Sequence, residues 1–597
     1  MTTEEFASPV DTEKLNENLQ KIEDLSQRLM AAFGRKRAVP QALQGPGPDL
    51  MMKTAAAYMA DVMANPSKLF EQQVALWGKS LQHFIEAQEQ LAKGKFEAPE
   101  DSGPNDRRFA NPLWDTHPYF NFVKQQYLIN ADATRDAIEH VEGLEPKDKK
   151  RLEFFSGQIL DLMSPTNFFG TNPEALQRAV ETDGQSLVDG LENLVNDLEA
   201  NDGELLVTLA DKNAFKVGGN IATTPGSVVF RNRMFELIQY KPTTEQVHET
   251  PLVIFPPWIN KFYVMDLKDQ NSLIKWIVDQ GFTLFVVSWV NPDASYAEVG
   301  MDTYIEEGYL TAIAEAKKIA GVKTVNVVGY CIAGTTLALV LSLLKKRGDS
   351  SINAATFFTA LTDFSDQGEF GVFLDDDFVD GIEEEVNEHG FLESFFMART
   401  FSFLRSRDLV YGPAIKSYMM GEAPPAFDLL FWNGDGTNLP ARMAVEYLRW
   451  LCQGNLLAEG KLELLGETLS LADVDVPVCS IACETDHIAA WKDCYRGVQQ
   501  MGSDEKTFIL SESGHIAGII NPPSKKKYGH FTNPDLGLEF GDWKDSADFN
   551  EGSWWPRWGQ WLSGKSGPMV AAREPGDKDH PILAAAPGEY VVKKPSH

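Results

Sequence analysis

The chemistry-bearing residues of this chain begin with Cys331, in the run Gly329-Tyr330-Cys331-Ile332-Ala333-Gly334. An apolar, strand-like segment, Thr324 to Val328, leads into it, and a helix-like segment, Thr335 to Lys346, follows at once. Strand, tight glycine-flanked turn and helix is the layout of a nucleophile elbow, in which a strained turn lifts the central side chain clear of the sheet. A thiol in that place points to acyl transfer through a thioester. The same run also suits a buried cysteine at a tight strand-to-helix packing point, so the residues downstream must decide.

A thiol is a weak nucleophile until a base takes its proton, and the base needs an orienting acid. Past Cys331 the strand-like Val478-Cys479-Ser480-Ile481-Ala482 runs into a turn holding Asp486, and Thr507-Phe508-Ile509-Leu510 runs into a loop holding His515. Nucleophile, acid and base in that chain order is the order of α/β-hydrolase triads. His515 is the expected base, and Asp486 is expected to fix its tautomer and stabilise its charged form. His487 adjoins Asp486 and is expected to point elsewhere; His530 has no strand before it. An oxyanion needs two backbone donors. One is expected at the N–H of Ile332, the other at Ile259 or Asn260, in the loop after the strand-like Leu252-Val253-Ile254-Phe255.

The elements that must position these groups fall into two kinds. Residues 1–205 read as mostly helical. Leu15, Leu19, Ile22, Leu25 and Leu29 recur at helical spacing over 11–33, Phe70, Val74, Trp77, Leu81 and Phe84 do so within 50–92, and Trp114, Tyr119, Phe120, Phe122 and Tyr127 form a candidate core. The first helix suits packing on its own domain or docking on another protein or a lipid-like surface. Residues 34–50 and 93–107 carry loop and linker signals. From about 206 to the end, short apolar runs alternate with helical stretches, the pattern of an α/β fold with a mainly parallel sheet; segments at 227–230 and 235–240 precede them as antiparallel first strands. Residues 365–445, rich in Phe and Asp, interrupt that rhythm between the elbow and the next core strand. They are expected as a cap or lid, or else as static extra helices.

Composition bounds the class. The 597 residues carry a net charge of −32, which makes nucleic acid an unsuitable partner. Five cysteines without a paired framework, and a polar, acidic Met1–Lys14, favour a reducing cytosol. Cys479 and Cys483 have no second pair at zinc-site spacing, so no metal is expected. No apolar run reaches transmembrane length.

Taken together the motifs resemble the class I polyhydroxyalkanoate synthases. The resemblance is carried by the elbow with Cys for Ser, by Asn220 to Gly226, Pro256 to Lys261, Ser288 to Asp293, Phe431 to Asn438, Glu484 to Ile488, Ser513 to Gly518, Gly552 to Pro556, and Asp106-Arg107-Arg108-Phe109 followed by Trp114. One departure is Ala333, where that family usually has Gly; a methyl group is tolerable there if φ is negative. The resemblance implies an α/β-hydrolase fold with an inserted cap behind a helical N-terminal domain. It implies polymerisation of (R)-3-hydroxyacyl-CoA, of the type with short-chain monomers such as 3-hydroxybutyryl-CoA and no obligate second subunit, into a polyester held as a thioester on Cys331, with CoA released and no metal or redox cofactor. It further implies a homodimer in the cytoplasm on polyester granules, with the N-terminal region serving granule, phasin or dimer contacts. Asp486 would then either orient His515 or help activate the attacking 3-hydroxyl. Lys525 to Lys527 suit CoA phosphates or a solvated basic loop equally. The rival readings are a water-using Cys hydrolase, such as a thioesterase or dienelactone hydrolase, and a non-catalytic granule-coat protein.

Overall fold

The structure is a computed structural model and describes residues 12–35, 50, 52–57, 78–79, 81 and 106–594. The chain divides into two compact units. One comprises Met1–Leu209 with Ser402–Pro425, the other Ala210–Phe401 with Ala426–His597.

In the first unit the leading helix spans Thr12–Phe33. Its apolar face is only partly used: Leu25 is buried, whereas Leu19 and Ile22 are exposed. Among the described residues the helix packs mainly on Gln185–Ala200. Arg28 with Glu199 and Lys21 with Glu192 flank that contact. Phe109, Trp114 and Phe120 form a small aromatic core with Tyr127 packed against it. Tyr119, expected in this core, is exposed, and Phe122 is half-buried. The expected positions Phe70, Val74, Trp77 and Phe84 lie outside the described residues, as does most of the 34–50 loop and the 93–107 linker.

The 365–445 stretch is not one piece. Residues 402–425 fold into the first unit, where Arg407 grips the buried Asp161 through Nη2 at 2.7 Å and Nε at 2.8 Å. Arg108 shares that carboxylate at 3.2 Å. The remainder stays with the second unit, including the helices Asp376–His389 and Ser394–Leu404 up to Phe401.

The second unit is built on an 11-stranded sheet. In chain order its strands are β1 (Gly226–Arg231), β2 (Phe235–Tyr240), β3 (Leu252–Phe255), β4 (Leu284–Trp289), β5 (Val325–Tyr330), β6 (Ile352–Phe358), β7 (Val478–Cys483), β8 (Lys506–Ser511), β9 (His530–Thr532), β10 (Asp548–Asn550) and β11 (Ala584–Ala585). Across the sheet they lie in the order β10-β9-β8-β7-β6-β5-β3-β4-β2-β1-β11. The inner strands from β4 to β8 are parallel, and both flanks are antiparallel. Parallel strands covered on both faces must be apolar throughout, and β3, β4, β5 and β7 are buried along their whole length. The apolar runs read from the sequence match these strands within a residue or two. β6 was not expected: Asn353, Thr356 and two alanines dilute its apolar pattern. It is nonetheless a central strand, between the one that carries Cys331 and the one that leads to Asp486.

Candidate active site

The elbow forms because two backbones approach more closely than side chains allow. A Cβ on Gly329 would lie 2.5 Å from Gly334 Cα, and one on Gly334 would lie 2.4 Å from Ala360 Cβ. With both residues bare, β5 turns directly into the helix Ile332–Lys346. That helix is apolar almost all round and buried over most of its length, with Lys345 and Lys346 in its last turn, where cations oppose the helix dipole. Cys331 sits at the corner with φ 55° and ψ −128°, a conformation that L residues avoid and that persists only when its surroundings impose it. Ala333 is not among the residues with positive φ, so its methyl group adds no backbone strain; its carbonyl accepts a 2.8 Å bond from Tyr309 Oη.

Five thiols are present, and they divide cleanly. Cys452, Cys479, Cys483 and Cys494 are buried, while Cys331 is partly accessible. Burial pushes the Cys452 thiol up to about 12 and raises those of Cys479, Cys483 and Cys494 as well, so these four stay protonated and inert.

Asp486 and His515 meet where β7 and β8 end. The Asp486 side chain is fully buried, and its Oδ2 lies 2.6 Å from His515 Nδ1. Its Oδ1 accepts the N–H groups of Ile488 at 2.8 Å and Ala489 at 2.9 Å. The carboxylate is thus fixed by backbone on one side and presented to the imidazole on the other. For His515 the largest influence is burial, which lowers its pKa. The negative charges of Asp486 and Cys331 and the hydrogen bonds to both outweigh it, and the imidazole is held well above its ordinary value. The structure therefore brings Asp486 and His515 into direct contact, with Cys331 within hydrogen-bonding reach of the imidazole.

The expected backbone donors separate. Ile332 opens the helix and lies beside Cys331 on the wall of a cavity of about 30 Å³; Ile259 is on the same wall. Asn260 is not: its N–H already donates to Pro257 O, and it bridges to Gly436. Next to it, Lys261 is buried and paired with Asp435 at 2.7 Å, and Tyr263 Oη donates to the same carboxylate at 2.8 Å, which braces this loop. His530 opens β9, where its Nδ1 bonds Gly552 O, and the Lys525–Lys527 run lies off the cavity wall. Among the described residues no cluster of His, Cys, Asp and Glu is arranged to hold a metal ion, and no helix is long and apolar enough to cross a membrane.

Comparison with known proteins gives this geometry a lineage. Residues 105–277 match the family model described as the poly-beta-hydroxybutyrate polymerase (PhaC) N-terminus, and residues 237–522 match that of the alpha/beta hydrolase fold. A poly(3-hydroxyalkanoate) polymerase of Methylorubrum extorquens is 40% identical over 554 residues, covering 92% of this chain and 90% of that protein. The chain belongs to the poly(3-hydroxyalkanoate) polymerase family. Other members are a polymerase subunit of Cupriavidus necator, 40% identical over 559 residues (92% of this chain, 91% of the relative), and polymerase 1 of Ectopseudomonas oleovorans, 35% identical over 518 residues (86% and 91%).

Among the cavity residues of this family member that escaped the sequence reading are Thr359 and Tyr447. Thr359 lies just past β6, the strand whose pattern was too diluted to be seen, and its backbone has a φ of 42°. Tyr447 lies just beyond the expected end of the cap and opens a π-helical segment, Tyr447–Gln453, a type of irregularity often found at functional sites. Burial pushes its phenol well up, with the Cys452 and Cys331 sulfurs adding to the effect. A sequence signal existed only for Tyr447, as an aromatic within reach of the cap.

Proposed function

We infer that this chain joins (R)-3-hydroxyacyl-CoA monomers, short-chain ones such as 3-hydroxybutyryl-CoA among them, into a polyester and releases CoA. The reading is carried by one observation: a strained, partly accessible thiol faces an apolar cavity beside a buried carboxylate–imidazole pair. His515 takes the proton of Cys331 Sγ, and the thiolate attacks the thioester carbonyl. The oxyanion rests on the N–H of Ile332 and a second donor at Ile259. Collapse breaks the bond to CoA sulfur, the proton passes from His515 to that sulfur, and the acyl group stays on Cys331. The 3-hydroxyl of one acyl group then attacks the thioester carbonyl of another. One ester bond forms and one thiol is freed for each monomer added. Asp486 holds the imidazole tautomer. The reaction needs no cofactor beyond the CoA of the substrate.

The lining supports transfer to a hydroxyl over hydrolysis. Ile259, Ile332, Leu361, Ile488 and Ala489 offer water little to bind. The cavity beside Cys331 is small, about 30 Å³. Phe370, Met397 and Phe401 close it from the 365–445 stretch, and their displacement admits substrate. A growing polyester is insoluble, so work at a granule surface in the cytoplasm, as a homodimer and beside phasin-type proteins, belongs to the same proposal.

The test is incubation of purified protein with (R)-3-hydroxybutyryl-CoA, with CoA release and acyl product size followed together and Cys331→Ala run alongside. Polymer from wild type and none from the variant is the expected result. Free 3-hydroxybutyrate would move the assignment to a thioesterase.

A further inference from the structure

Three hydroxyl-bearing residues are among those lining the cavity over Cys331: Thr335, Thr359 and Tyr447. Two of them are committed. Thr335 Oγ1 donates to Leu361 O at 2.6 Å, and the Tyr447 phenol bonds the Cys452 sulfur. The third is not. Thr359 is fully buried, and its Oγ1 has no hydrogen-bond partner among the described residues. A buried hydroxyl without a partner costs free energy, and native structures contain few.

Thr359 is costly in a second way. Its φ of 42° lies in the left-handed region, where a β-branched residue is a true outlier. The surroundings enforce it. Thr359 N–H donates to Ile481 O in β7 at 2.7 Å, and the carbonyl of the preceding Phe358 accepts the N–H of Cys331 at 2.8 Å. The residue is therefore tied to the nucleophile on one side and to the strand that presents Asp486 on the other. Backbone strain and an unpaired hydroxyl at one position beside a nucleophile mark a group held ready for a ligand.

The acyl arm of a 3-hydroxyacyl thioester carries two polar groups. Its carbonyl has the backbone donors; its C3 hydroxyl enters an otherwise apolar wall. We propose that the Thr359 hydroxyl is the hydrogen-bond partner of that C3 hydroxyl and selects 3-hydroxyacyl over unsubstituted acyl thioesters at Cys331. The inference rests on the polymerase reading for its substrate class.

The test compares acylation of Cys331 by (R)-3-hydroxybutyryl-CoA and by butyryl-CoA, read as the burst of CoA release, in wild type, Thr359→Val and Thr359→Ser. Valine keeps the shape and the β-branching and removes only the hydroxyl. It is expected to lower kcat/KM for the 3-hydroxy substrate by about 10–100-fold, leave butyryl-CoA within about twofold, and so erase the preference. Serine is expected to retain it. A second readout needs no turnover: with the unpaired hydroxyl gone, Thr359→Val should melt about 1–2 °C higher than wild type. Equal losses on both substrates, or an unchanged ratio, would overturn the proposal while polymer formation by wild type leaves the polymerase reading standing. A wild type that forms free acid or releases no CoA would sink that reading and this inference with it.

Discussion

Asp486→Asn is the substitution whose outcome the structure specifies most closely. In wild type, Oδ1 accepts two backbone N–H groups, from Ile488 and Ala489, while Oδ2 faces His515 Nδ1. An asparagine must satisfy the same two donors, so its carbonyl oxygen takes the Oδ1 position and its NH₂ group faces the imidazole. Nδ1 is then forced to accept, the ring proton moves to Nε2, and Nε2 can no longer take the Cys331 proton. In triads of this logic the wrong tautomer costs about three to four decades in rate, or about 4–5.5 kcal/mol of barrier. The assay is stopped-flow CoA release in the first turnover with (R)-3-hydroxybutyryl-CoA, followed by product size at long times. The expectation is a slow burst and, in proportion, slow polymer growth. A burst within about tenfold of wild type combined with no elongation would refute the tautomer argument and assign Asp486 to the substrate hydroxyl.

Other perturbations have equally definite outcomes. His515 is held well above its ordinary value in the folded state, so its protonation stabilises the fold fully below about pH 6.5, and that stabilisation is lost as pH rises through the folded value. Urea denaturation from pH 6 to 9 should therefore show the stability gap between wild type and His515→Gln shrinking with pH; a constant gap would contradict it. Gly334→Ala places a methyl 2.4 Å from Ala360 Cβ and should cost about 1–3 kcal/mol, partly recovered by adding Ala360→Gly, as read from melting curves. Asp435→Ala leaves the buried Lys261 ammonium, among the described residues, with only the Lys593 carbonyl at 3.3 Å and should destabilise by about 3–5 kcal/mol in denaturant titration, with Asp435→Asn costing less. A loss below about 1 kcal/mol would mean that the Lys261 pair does not brace the loop carrying Ile259.

The sequence by itself determined the features whose causes are local or repeat along the chain. Cys331, Asp486 and His515 were legible as candidates because each follows an apolar strand at a turn, in the chain order that such a sheet imposes on a triad. The strained elbow was legible because glycines flank the cysteine, and the close approach explains them: a Cβ on Gly329 would lie 2.5 Å from Gly334 Cα. Tertiary structure decided what depends on partners distant in sequence. β6 is a central strand because its neighbours bury it, whatever its own pattern suggests. Residues 402–425 leave the expected cap because Arg407 finds Asp161, nearly 250 residues away. Asn260 loses its candidacy to a bond with Pro257, and Leu19 and Ile22, on the apolar face read from the sequence, are exposed. Thr359 shows the limit most clearly. A threonine after a weak strand carries no signal; its φ and its unpaired hydroxyl exist only because β5, β6 and β7 converge on it. Local sequence names the groups able to react, but burial and hydrogen-bond satisfaction are properties of the packed whole, and they decide which of those groups remain free to do so.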